Sequence, residues 1–158
     1  MAGTKRRAND AWEALLLAHV TLIKEFADED IWQDPSMREY DVLYTLSKCQ
    51  DPIRISELNH HVLLSQPALS RLVDRLARRG LVKRQPDPAD GRGTLLSLTD
   101  AGRAKQHEIG GRHARSVARA LTASLSRDEI ARLQAICTKL ARQPVPGRVP
   151  YDESEGPS

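Results

Sequence analysis

Two cysteines, one phenylalanine and an aromatic content of 4% are the scarce features of this 158-residue chain. So few cysteines exclude a disulfide-stapled scaffold. So few rings exclude a surface that reads sugars or unstacked bases by stacking. No apolar run approaches the roughly 20 residues needed to span a bilayer. The opening MAGTKRRAND leads into an amphipathic segment rather than the apolar heart of a secretion signal. The expected location is the cytoplasm, without membrane association, and there Cys49 and Cys137 are expected reduced and packed as small hydrophobes. Catalytic signatures are missing too, since no dinucleotide loop, phosphate loop or nucleophile elbow occurs. Neither enzymatic activity nor a cofactor is expected.

What is present is enough apolar residue, 40%, for one ordinary core, so the whole of 1–158 is read as a single domain. The net charge of +3 is modest but unevenly placed. Residues 65–92 carry seven bases against three acids, whereas 28–41 is dominated by acids.

Residues 9–27 place Trp12, Leu15, Leu16, His19, Leu22, Ile23 and Phe26 at helical spacing on one stripe. Pro35 then resets the chain, and Ser36 with Glu39 forms a capping box for a second helix whose inner side is Met37, Tyr40, Val42, Leu43 and Leu46. After Pro52 a very short strand at 53–55 precedes a third helix, with Ser56 expected as its cap. Ser65 caps a fourth helix over 66–79, which turns Leu69, Leu72, Val73 and Leu76 inward and stops at Gly80. Residues 81–85 and 94–98 read as strands of a hairpin whose PDPADGRG tip is expected to be mobile. Thr99 or Asp100 opens a long helix over 101–125. The pair Gly110-Gly111 predicts a kink or a close helix approach within it. Ser126 and Glu129 box the last helix, and Ile130, Leu133, Cys137 and Leu140 share one of its faces. The proline-rich, acidic stretch 143–158 is expected to be disordered.

The middle of this order is a helix-turn-helix followed by a hairpin, so the fold class is mainly α with a small β-hairpin wing, a winged helix-turn-helix. Its second helix has the width to enter a DNA major groove. The flanking helices carry more apolar surface than so small a core can bury, which favours a second copy of the chain.

Residues 10–141 resemble the MarR family of bacterial transcription regulators. The resemblance is carried by EYDVLYTL at 39–46, by the run from ISELNHH to LTDAGR over 55–103, and within it by Asp90-x-Arg92 leading through Leu98-Thr99 into Asp100-Ala101-Gly102. It implies a homodimer on double-stranded DNA at a pseudo-palindromic operator. Helices over 9–34 and 101–141 would dimerise around a winged helix-turn-helix at 36–99, most simply as a repressor. It also implies DNA contacts by Ser65, Gln66, Pro67, Ala68, Ser70 and Arg71. Of these, Arg71 can fork onto guanine, Gln66 suits adenine, and Pro67 and Ala68 offer apolar contact to a thymine methyl. Arg75 is expected to meet phosphate or Asp90. Arg92 matches the wing arginine that enters the minor groove, with Asp90 orienting it. The family's effector is often an aromatic carboxylate, and Trp12, His19, Trp32 and Tyr44, with an arginine, are the candidates to line its crevice.

Two other readings stay open on sequence. One is a winged helix that binds protein through its basic face. The other is a zinc-responsive regulator of the same fold, although the adjacent His60 and His61, and His107 with His113, diverge around their helices, so no metal site is assigned. A thiol sensor would require an unusual geometry from Cys49 or Cys137.

Overall fold

A computed structural model of the chain describes residues 2–141, and the expected tail at 143–158 lies outside them. The elements are α1 (Ala2–Ala27), α2 (Met37–Ser47), β1 (Ile53–Arg54), α3 (Ile55–Asn59), α4 (Gln66–Arg78), β2 (Val82–Asp87), β3 (Asp90–Leu98), α5 (Asp100–Thr122) and α6 (Arg127–Leu140). The three strands form one antiparallel sheet in the order β1-β3-β2. This is a winged helix-turn-helix with long flanking helices.

Local chemistry sets most boundaries. Ser36 and Ser126 each accept from the backbone N–H three residues on, while Glu39 and Glu129 reach back to close the two capping boxes. Ser65 and Thr99 cap α4 and α5 in the same manner. Gly80 ends the recognition segment at φ +71°, a conformation that a side chain would strain. Ser56 does not cap α3. The helix begins at Ile55 with Arg54 in the cap position and no side-chain bond, because the chain passes straight from the extended β1 into the first turn.

The wing also differs from its expected form. Pairing continues from Val82↔Leu98 to Asp87↔Asp90, so most of the expected tip is strand and only Pro88 and Ala89 turn. Pro86 sits within the ladder because β2 is an outer strand, where a missing N–H on the open side costs nothing. Asp87 Oδ1 accepts from the Ala89 N–H at 2.8 Å and Asp90 Oδ1 from the Arg92 N–H at 3.1 Å. Two side chains thus brace a turn that composition alone marks as loose.

Leu43, Leu58, Leu69, Leu76 and Leu96 are fully buried, and with Val42, Val73 and Ile53 they join α2, α3, α4 and the sheet in one core. Burying each leucine stabilises by about 1.5–3 kcal/mol. α5 runs unbroken past Gly110, and the close approach expected there is to α2: a Cβ at Gly110 would stand 3.0 Å from Tyr40 Oη. In contrast, α6 buries none of its side chains, and of the described α1 side chains only Phe26 is buried.

Glu39 ties α2 to α4. Burial alone would raise its carboxyl, but hydrogen bonds from Ser36 and the charges of Arg79 and Arg75 outweigh that and hold it below the usual glutamate range. A carboxyl depressed on folding adds stability that is present above the ordinary carboxylate range and is lost as pH falls through the folded value. Thermal melts of the protein should therefore drop in midpoint on acidification. Glu39→Gln should melt lower at neutral pH and flatten that acid slope, and an unchanged slope would locate the acid sensitivity elsewhere.

Candidate nucleic-acid interface

The apolar positions Leu69, Leu72, Val73 and Leu76 recur every three or four residues along α4, so the opposite face turns outward. Ser65 stands at the cap with its hydroxyl accepting from the Ala68 N–H at 3.4 Å. Gln66, Pro67 and Arg71 are exposed on the first two turns, with Ala68 and Ser70 half-buried beside them. The wing brings Asp90 and Arg92 alongside on β3.

The arginines of this face divide into two groups. Arg75 Nε lies 3.5 Å from Glu39, Arg79 pairs with both Asp34 and Glu39, and Arg84 pairs with Asp74. Arg54 Nε donates to Asp87 at 2.7 Å, and its Nη2 lies 3.8 Å from Asp90. Among the described residues Arg71 and Arg92 have no ion-pair partner, so their guanidiniums are uncommitted. Two sequence expectations change accordingly. Arg75 pairs with Glu39 instead of Asp90, because it projects toward α2 and not toward the wing. Asp90 orients Arg92 through the backbone N–H and leaves the guanidinium free.

The sequence reading missed Arg54, Asp87 and Arg84. The Asp87 side chain is 7% exposed, and the Ala89 N–H and Arg54 hold its carboxyl below the usual aspartate range. Arg54, Arg84 and Arg92 surround a recess of about 280 Å³ between α4 and the wing, with Ser56 and Ser70 on its wall. A row of arginines and hydroxyls between a groove-sized helix and a wing suits the phosphate backbone.

Two cavities lie behind this face. One, of about 520 Å³, opens between α2 and α5 and is lined by Tyr40, Asp41, Tyr44, Gln106 and His113 among others. The second, of about 330 Å³, lies between α1, α2 and the chain before α4, with His19, Arg38, Asp41 and Leu63 in its wall. Tyr44 and His19, expected in one crevice, therefore line separate cavities. Trp32 packs behind the first on Tyr40 and His113, with ring centroids 5.5 and 5.2 Å away. Trp12 is 60% exposed on α1 and lines neither, lying about two turns before His19 on the helix.

Residues 36–94 match the MarR family. The multiple antibiotic resistance protein MarR of Salmonella typhimurium is 32% identical over 107 residues, covering 68% of this chain and 74% of that protein. The chain belongs to the MarR family. A mutant of Escherichia coli MarR complexed with operator DNA superposes with a TM-score of 0.68 at 29% identity, over 84% of this chain and 96% of that one. The transcriptional regulator PcaV of Streptomyces coelicolor, crystallised with its natural ligand, gives 0.62 at 29% identity over 84% and 89%.

As a MarR protein the chain is a DNA-binding regulator of transcription and not an enzyme. Among the described residues no helix is long and apolar enough to cross a membrane. Burial pushes the Cys49 thiol up, which leaves little thiolate for redox chemistry.

Proposed function

We propose that this MarR protein is a homodimeric repressor that occupies a pseudo-palindromic operator and leaves it when a small molecule binds. The reading rests on the pattern of commitment among the arginines. Those at 54, 75, 79 and 84 hold the fold, whereas Arg71 at the start of the recognition helix and Arg92 on the wing make no ion pair, and Arg78 meets only the Asp74 carbonyl at the far end of the helix. Arg71 then reads a guanine edge with Gln66 on an adjoining adenine, while Ser65 and Ser70 approach phosphate and Pro67 and Ala68 face a thymine methyl. Arg75, 51% exposed, keeps its pairing to Glu39 while facing phosphate. Arg92 enters an A·T-rich minor groove, where the negative potential is concentrated.

Dimerisation is supported by the exposed apolar faces of α1 and α6, where Leu16, Leu17, Ile136 and Leu140 are each 47–68% exposed. Two copies related by a twofold axis would space their recognition helices by about 34 Å, one turn of the duplex. For a small aromatic carboxylate the cavity beside α1 offers Arg38 as the cation and His19 as a polar wall, with Asp41 the acid that Arg38 has to offset. Such an effector lowers operator affinity only by the degree to which it prefers a helix spacing that the operator does not accept.

Fluorescence anisotropy on the DNA upstream of the protein's own gene, against a shuffled duplex at two salt concentrations, tests the reading. Preference for the native duplex should survive high salt. Arg71→Ala should cost about 1–3 kcal/mol and relax base preference at one position of each half-site. Arg92→Ala should weaken binding chiefly where the flanks are A·T-rich. Full affinity and specificity in both variants would overturn this docking.

A further inference from the structure

We propose that the arginine stripe of α5, at 112, 115 and 119, docks the acidic segment 152–155 of the same chain. This is an interaction surface apart from the reading face and from both cavities, and neither operator nor effector takes part in it.

Arg112, Arg115 and Arg119 are exposed and recur at three- and four-residue spacing, so they share one face of α5. With Glu29 and Asp30 they line a recess of about 270 Å³. The buried Ser116 joins the lining, and its hydroxyl accepts from Arg119 Nη2 at 3.4 Å. Three guanidiniums meet two carboxylates there, and neither carboxylate is a full counterpart. Arg112 Nη2 stands 3.8 Å from Asp30, whose side chain is 90% exposed. Glu29 Oε1 accepts from Arg119 at 3.4 Å, while Oε2 is closed to solvent and offers the recess nothing. Arg115 has no ion-pair partner among the described residues. The recess thus holds one surplus cation and two loosely engaged ones, which suits a ligand carrying several carboxylates.

The stripe is clear of the apolar edge of its own helix. Val117 follows Arg115, and Leu121 follows Arg119, by two residues, which is about 200° around the helix. A second copy seated on that edge leaves the arginines open. The chain itself supplies the acids. Residues 149–158 hold Asp152, Glu153 and Glu155 and no base. Polar and proline-rich, this segment has little apolar surface to bury, and charge is what it offers a partner. Its reach is sufficient: α6 is about 21 Å long and Arg115 lies about 10 Å before the end of α5, whereas residues 142–152 extend to about 36 Å. The tether holds the acids at about millimolar local concentration, the range in which exposed ion pairs form.

Trypsin reports the contact on the full-length protein, because Arg148 lies just before the acids and its bond is cut fastest when the segment is released. Mass spectrometry should show cleavage after Arg148 about threefold faster in Arg112→Gln/Arg115→Gln/Arg119→Gln than in wild type, the effect of losing a few exposed pairs. Lys5→Gln/Arg6→Gln/Arg7→Gln and Arg71→Gln/Arg92→Gln, which remove positive charge from α1 and from the reading face, should match wild type. Carbodiimide coupling gives the position. The amine introduced by Arg115→Lys should be joined to Asp152, Glu153 or Glu155 within one chain, and salt at about 0.5 M should abolish the product. Circular dichroism confirms that each variant keeps its helices. Unchanged cleavage in the α5 variant, faster cleavage in either of the other two, or coupling found only between chains would overturn the proposal.

Discussion

Gly102→Ala should destabilise the protein by about 3 kcal/mol, lowering the melting temperature by about 10 °C. A Cβ at this position would stand 1.9 Å from the Leu81 carbonyl oxygen and 2.9 Å from its carbon, and neither backbone atom can swing aside as a side chain would. The same Leu81 carbonyl accepts from the Thr99 N–H at 3.2 Å, while the Thr99 hydroxyl donates to the Gly80 carbonyl at 2.6 Å and accepts from the Gly102 N–H at 3.0 Å. The start of α5 is thus bonded to the end of the helix-turn-helix, and any side chain at 102 forces the two apart. Gly111 on the same helix is the opposite case. It is exposed with nothing within 4 Å of its Cβ position, and Gly111→Ala should stabilise by about 1 kcal/mol. Scanning calorimetry of both variants checks the pair. Equal shifts would mean that helix propensity, not the contact with Leu81, governs position 102.

Ile136→Glu combined with Leu140→Glu should convert the protein into a monomer and reduce operator affinity about 100-fold, because the second half-site then loses its local concentration. Both side chains are exposed on α6, at 58% and 62%, so their replacement removes little packing within the chain itself. Sedimentation should give about the 17.6 kDa of one chain for the variant and twice that for the wild type. Circular dichroism at matched concentration separates loss of pairing from loss of fold. A variant that still sediments as a dimer would place the interface elsewhere than α6.

The contrast between local and distant chemistry explains how much could be read from the residues alone. Ser36, Ser65 and Ser126 are legible as caps because the group they satisfy is three residues away. The inner face of α4 is legible because its leucines keep the helical period. Arg54 with Asp87 is 33 residues apart and Arg79 with Asp34 is 45, and no spacing rule connects such pairs. The cap and inner face of α4 are therefore legible in the sequence, whereas the division between committed and free arginines is not. The aromatic candidates are a different case. Trp12, His19, Trp32 and Tyr44 are all amphipathic rings on or near helices, but which cavity each meets depends on how α1 and α5 lie against α2, and composition carries no such information. The wing tip reads as loose in composition because Pro and Gly make up half of it, while the two aspartates that brace it act through their side chains.

The central place of β3 has a mechanical result. It pairs with β1 at Ile53↔Leu96 and with β2 along the whole wing, and β1 runs into α3 without an intervening loop. Arg54 then locks the same junction to the wing turn. Reading helix and wing are in effect one casting, so an operator whose half-sites are a base pair too near or too far meets no give in the reading head. In the dimer proposed above the misfit would pass to the long helices that carry the head, and tolerance for operator spacing would be a property of α1 and α5, which also wall the two cavities.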